Sequence, residues 1–166
     1  MSIDLPEITL RFASLFAWLI LCFFVAGMGA TASIDAAAFY AQLNQPGWAP
    51  PAGAFGPVWT TLYTLMAFAM WQVWLTPASP LRKAAAIVFV VQLFFNGLWS
   101  WLFFHWHLGA WAFADSALMW ALILVCVVLF WRLKRSAGLL MLPYLAWVTL
   151  ATALSWYVWQ HNPTLL

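Results

Sequence analysis

Charge is what this chain has least of. Four acidic and six basic residues among 166 make 6% of the sequence, against about a quarter in a soluble globular protein. So few charges cannot clothe a water-facing exterior, so most of the surface must meet lipid, and no nucleic-acid partner is expected of so few bases. The two cysteines, Cys22 and Cys126, stand isolated within apolar runs, which excludes a disulfide or thiolate metal pair. His105 and His107 are two residues apart, share no helix face, and have no acid or thiol to complete a set, so no metal site is expected. No nucleophile–base pair, Gly-rich phosphate loop or carboxylate pair occurs. Ordinary hydrolytic and phosphoryl-transfer chemistry therefore has no residues to work with. Alternating ten-residue segments are missing as well, which disfavours a β-barrel.

What the chain has is apolar length. Hydrophobic residues make up 67% of it and the mean hydropathy is +0.93. A helix crosses a bilayer with roughly 20 apolar residues, and five runs qualify, at about 10–30, 57–75, 84–104, 108–131 and 139–160. The expected fold is an all-α integral membrane bundle of five transmembrane helices, one domain over residues 1–166, with a long loop at 31–56 between the first two spans. Arg11, Arg82, Lys83, Arg132, Lys134 and Arg135 then fall on one side, and the other side holds no Lys or Arg. The positive-inside rule places the N-terminus in the cytoplasm and loop 31–56 outside, which fits a bacterial inner membrane. Ala30-Thr31-Ala32 has the form of a signal cleavage site. The apolar run before it is longer than a signal's usual run of about 7–15 residues, and Asp4 and Glu7 lead it, so a retained span is expected.

Polar residues inside the spans are few and patterned. Gln92, Asn96 and Ser100 recur every four residues, making one stripe up the third span. Such groups must face protein or water. They serve either as helix glue or as a cavity wall offering donors and acceptors. Trp147, Ala151 and Ser155 repeat likewise on the fifth span, beside Tyr144 and Val148, with Ala151 leaving a hollow. Trp59, Tyr63, Met66 and Met70 share an arc of the second span. These faces outline a slot with flat π walls and a few polar points, suited to a large, flat, amphipathic ligand. Of 14 tryptophans, Trp18, Trp74, Trp106, Trp131 and Trp159 read as interfacial belts, while Trp59, Trp99 and Trp147 have small or polar neighbours and are the cavity candidates.

Segment 31–56 contains NQPGWAPPAGAFGP, a stiff, turn-rich strap without strong helix or strand character. Its length favours a lid over the cavity mouth, with Trp48 turned inward. Asp115, about seven residues into the fourth span, is read either as a functional intramembrane acid or as a hydrated structural carboxylate near the external end. Ala110, Ala114, Ala117 and Ala121 form a small-residue ridge that suits a homodimer seam, and Gly27, Gly29 and Ala30 do similar packing work on the first span.

Four segments resemble a known family: Trp48-Ala-Pro50-Pro51, GPVWTTLY from Gly56 to Tyr63, NGLWSWLFF from Asn96 to Phe104, and PYLAWVTLATAL from Pro143 to Leu154. In that order and spacing they resemble the translocator protein family, also called tryptophan-rich sensory proteins or the peripheral benzodiazepine receptor family. The resemblance implies a five-helix bundle, commonly dimeric, whose long loop closes a pocket for porphyrins, sterols and synthetic ligands. By motif match the pocket residues are Trp59, Tyr63, Asn96, Trp99, Ser100, Trp147 and Ala151. Two features depart from the pattern. Leu154-Ser155 stands where the family usually has leucine–asparagine, and no Lys or Arg follows Tyr157. The second departure disfavours sterol and leaves porphyrin unaffected.

The function expected is a membrane binding or sensory protein that holds tetrapyrroles of the protoporphyrin IX type, adjusting porphyrin level or stress signalling, with porphyrin as ligand and no cofactor required. An alternative is light-dependent porphyrin breakdown through Trp59 and Trp147, which the resemblance implies for some bacterial members. A porphyrin transporter ranks third, because the chain has no visible internal repeats.

Overall fold

The computed structural model describes residues 5–166, with side chains from Thr9 onward. Asp4 lies outside the described residues, and so does the side chain of Glu7. The elements are α1 (Leu5–Ala32), α2 (Ala36–Gln42), α3 (Phe55–Trp74), α4 (Pro80–Ser100), α5 (Gly109–Leu133) and α6 (Arg135–His161). A 3-10 turn at Ala52–Ala54 leads into α3, and a π-helical turn at Trp101–His105 extends α4. Among the described residues there is no strand.

Among the described residues, four stretches are long and apolar enough to cross a membrane: Thr9–Ala32, Pro80–His105, Gly109–Leu133 and Arg135–His161. The remaining long helix, α3, has 20 residues, and its Gly56, Pro57, Thr60, Thr61, Tyr63, Thr64 and Gln72 dilute its hydropathy. The long helices form a closed ring in which each packs on two principal neighbours, in the order α1, α3, α6, α5, α4 and back to α1.

Local sequence explains the joints. Ser79 caps α4, its hydroxyl accepting from the Arg82 N–H at 3.1 Å, and Pro80 follows where a missing N–H costs nothing. Between α5 and α6 only Lys134 is non-helical, in an extended conformation. Lipid tails are as apolar as leucine, so the bundle is held by close packing, and small residues allow it. A Cβ on Gly138 would come within 3.0 Å of the Trp131 Cα, and one on Gly97 within 3.2 Å of a Val25 methyl. Gly29 sits equally close to Ser100, whose Oγ would be 3.1 Å from such a Cβ.

The buried interior has two parts. The larger includes Phe89, Phe130, Met66, Met70, Ile123, Met141 and Tyr144. The smaller gathers Phe39, Tyr40, Leu43, Phe103, Ala112, Leu154 and Val158 at the opposite end. The bases collect at the end away from this smaller cluster. There the Trp71 indole donates to the Arg11 carbonyl at 2.9 Å, and the Arg82 guanidinium donates to the Trp74 carbonyl at 3.0 Å and lies over the Trp74 ring.

Segment 31–56 differs from its expectation. α1 runs to Ala32, and α2 occupies Ala36–Gln42 within what reads as a loop, ahead of its Pro- and Gly-rich stretch. Phe39 and Tyr40 bury one face of this short helix, and that tertiary contact stabilises a turn which propensity alone does not hold.

Candidate functional site

The stripe on α4 divides. Gln92 and Asn96 are buried. The Tyr63 hydroxyl donates to Asn96 Oδ1, Asn96 Nδ2 donates to the Tyr144 oxygen at 2.7 Å, and the Tyr144 hydroxyl donates to Gln92 Oε1 at 2.9 Å. This chain joins α3, α4 and α6, so the lower stripe is helix glue. Its upper part faces a void. Asn96, Trp99 and Ser100 border a cavity of about 650 Å³, together with Trp59, Tyr63 and Phe55 of α3 and residues of α1. The stripe thus joins helices at one height and borders a cavity at another.

A π-helical turn follows the stripe. Trp106 N–H donates to the Trp101 carbonyl at 2.9 Å, five residues back, and the extra residue in the turn re-aims the side chains beyond it. Phe104 borders the cavity while Phe103 is buried in the smaller core cluster. Trp99 stacks on Phe103 with ring centroids 5.0 Å apart, and its indole N–H is buried without an acceptor.

The connection between α1 and α3 forms the roof. Ser33, Ile34, Ala36, Ala37, Tyr40 and Ala52 border the cavity. The Tyr40 hydroxyl donates to the Pro50 carbonyl at 3.1 Å, and burial pushes it above the usual phenol range, so it remains a donor. Asn162, past the end of α6, holds the strap, accepting from the Asn44 N–H at 2.7 Å and donating to the Asn44 carbonyl at 3.2 Å. Phe39 stacks on His107, a residue in left-handed backbone (φ 54°), with centroids 4.2 Å apart.

Of the residues singled out from the sequence, Trp59, Tyr63, Asn96, Trp99 and Ser100 come together here. Trp48, Trp147 and Ala151 do not. Trp48 is 49% exposed and packs edge-on against Tyr157, beside an outer apolar groove with Phe113, Trp120 and Trp156. It is not turned into the cavity, because Tyr40 and Ala52 cover that side of the strap. Trp147 lies one layer back, its ring edge-on to Phe55 at 5.7 Å. Met66 and Met70 are fully buried in the core. Asp115 is buried, neither carboxylate oxygen has a hydrogen-bond partner within the protein, and it does not border the cavity. The wall that sequence reasoning missed is α1, although its Gly27, Gly29 and Ala30 were visible as a run of small residues.

A family model for TspO/MBR matches residues 16–160. The chain belongs to the TspO/MBR family. Protein CrtK of Rhodobacter capsulatus is 36% identical over 137 residues, covering 81% of this chain and 86% of that protein. The tryptophan-rich sensory protein of Cereibacter sphaeroides is 35% identical over 149 residues, covering 87% and 92%. The human translocator protein is 33% identical over 126 residues, 75% of each chain. TspO/MBR membership and the long apolar helices together make this a membrane protein.

Proposed function

We propose that this TspO/MBR protein is a membrane sensory protein that binds tetrapyrroles of the protoporphyrin IX type, and related flat hydrophobic molecules, in the cavity between α1, α3 and α4. One observation carries the reading: a space of about 650 Å³ combines indole walls from Trp59 and Trp99 with an amide–phenol pair, Asn96 and Tyr63. That volume lies within the usual range for small-molecule pockets, and the mix of many apolar surfaces with few polar points suits a flat amphipathic ring. Porphyrin is ligand here, and no cofactor is required. Five membrane crossings follow if α3 crosses too, as its place in the ring between α1 and α6 supports. The bases gathered at one end support an orientation with that end in the cytoplasm and the strap outside, in a bacterial inner membrane. The alanines Ala110, Ala114 and Ala121, exposed along α5, offer a seam for a second copy.

The test is a dark titration of purified protein with protoporphyrin IX, followed by quenching of tryptophan fluorescence. Saturable quenching is expected. Asn96→Leu should weaken it roughly tenfold, or about 1.4 kcal/mol. Trp147→Ala, one layer behind the wall, should weaken it about threefold or less. Quenching that ignores Asn96→Leu would return the whole stripe to helix packing.

A second reading, light-driven breakdown of the bound porphyrin, is favoured by the position of Trp59 on the wall. Illuminating the same samples separates the two. A binder releases porphyrin unchanged, whereas breakdown consumes it and stops in Trp59→Phe with binding kept.

A further inference from the structure

The cavity has two boundaries that could open, and they are built differently. The roof is fastened by the Tyr40–Pro50 bond, the paired bonds between Asn44 and Asn162, and the stack of Phe39 on His107. Phe39, Tyr40, Leu43 and Asn162 are all buried. Opening the roof means breaking these together.

The side wall between α1 and α3 carries no such fastening near the roof. The two helices are pinned at the basic end, where Trp71 bonds Arg11 and Trp18 meets Trp74 at 5.6 Å, and Phe23 lies against Tyr63 at 6.4 Å. From there to the roof, the cavity is bordered by Gly27 and Ala30 on one helix and Gly56 and Thr60 on the other, all four exposed. A Cβ added at Gly27 or at Gly56 would meet nothing within 4 Å. The single hydroxyl on this rim, that of Thr60, donates to its own helix at the Gly56 carbonyl, 2.9 Å away. The edge is therefore apolar and holds no free donor. Beside it, Phe16, Ile20, Phe24 and Met28 stand exposed on α1, an apolar face of the kind that lipid covers favourably in a membrane.

We propose that the slot between α1 and α3, rimmed by Gly27, Ala30, Gly56 and Thr60, is the ligand entrance, and that the cavity is loaded sideways from the bilayer with flat apolar molecules already dissolved there. This rests on the reading of the cavity as a tetrapyrrole pocket. A rim without side-chain bulk admits a planar ring edge-on, so the slot selects by thickness and by partition into lipid. The strap is then a fixed ceiling and not a gate.

The experiment is stopped-flow mixing of the protein, in lipid nanodiscs, with protoporphyrin IX, read by tryptophan quenching. Gly27→Leu with Gly56→Leu fills the slot, and open space at both positions lets the variant fold, which a thermal unfolding scan checks. Association and dissociation should both slow by about tenfold, with Kd held within about threefold, because an entrance acts on both rates whereas a wall residue acts mainly on dissociation. Gly27→Leu alone should give a smaller shift of the same kind and carries the test if the double variant unfolds. Asn162→Ala, which removes two roof bonds, should leave both rates within about twofold. Unchanged rates in the slot variants with binding intact, or faster rates in Asn162→Ala, would overturn the lateral route and leave the pocket standing. A lack of saturable binding in the unaltered protein would overturn both.

Discussion

Asn96 is the residue where the bonds between helices meet the cavity wall. Its amide takes one bond from Tyr63 and gives one to Tyr144, and it also borders the cavity. Asn96→Leu leaves the Tyr63 hydroxyl without its acceptor and takes from Tyr144 one of its bonds, the one to Gln92 remaining; a buried polar group left unpaired costs about 1–3 kcal/mol. Tyr63→Phe removes one bond and keeps the one between Asn96 and Tyr144, and the amide it frees borders the cavity, so about 0.6 kcal/mol is expected. Thermal midpoints in one detergent should therefore fall clearly for Asn96→Leu and barely for Tyr63→Phe; equal falls would deny the amide its central place. The stripe itself was legible, because a spacing of four residues is a property of one helix. Its partners were not, because Tyr63 and Tyr144 reach it from helices 33 and 48 residues away.

At the scale of elements, glycines of the same kind play opposite parts. Gly138 lies against the backbone of Trp131, where an added Cβ would meet Cα at 3.0 Å and only a shift of α6 against α5 could relieve it. Gly138→Ala should destabilise by about 1–3 kcal/mol. Gly27→Ala meets open space and gains up to about 1 kcal/mol of helix preference. A thermal scan of the two variants should move in opposite directions, and a stabilised Gly138→Ala would contradict the tight α5–α6 contact. The long helices could be read from the sequence to within a few residues, because twenty apolar residues bounded by charge or proline leave few alternatives. α2 could not, since a helix of seven residues is too short to stand by itself and gains its stability from burying Phe39 and Tyr40. The turn at Trp101–His105 was hidden too: within a run of bulky apolar residues, a slip from four to five residues per bond leaves no mark.

At the scale of the whole molecule, the ring arrangement decides which faces are free. Ala110, Ala114 and Ala121 remain exposed on α5, so a second copy packed there should be lost when Ala114 and Ala121 are both changed to Trp. If the proposed dimer forms there, mass photometry in nanodiscs should show two chains for the unaltered protein and one for the variant, with the proposed porphyrin binding retained because the ridge does not border the cavity. An unaltered dimer in that variant would move the seam elsewhere. Sequence reasoning placed the cavity among three helices by their aromatic faces and put Trp48 over it. In the ring, α1 supplies a wall through residues too small to announce themselves, while Trp147 and Ala151 are set back from the void.

The joint between α5 and α6 bears on how the chain is made. With Lys134 as the only non-helical residue between two long helices, the expected route of insertion is as one hairpin, because so short a joint cannot hold one helix in a bilayer and the other far outside it. Arg132, Lys134 and Arg135 then stay together at one membrane surface, and no base of the joint need pass through hydrocarbon.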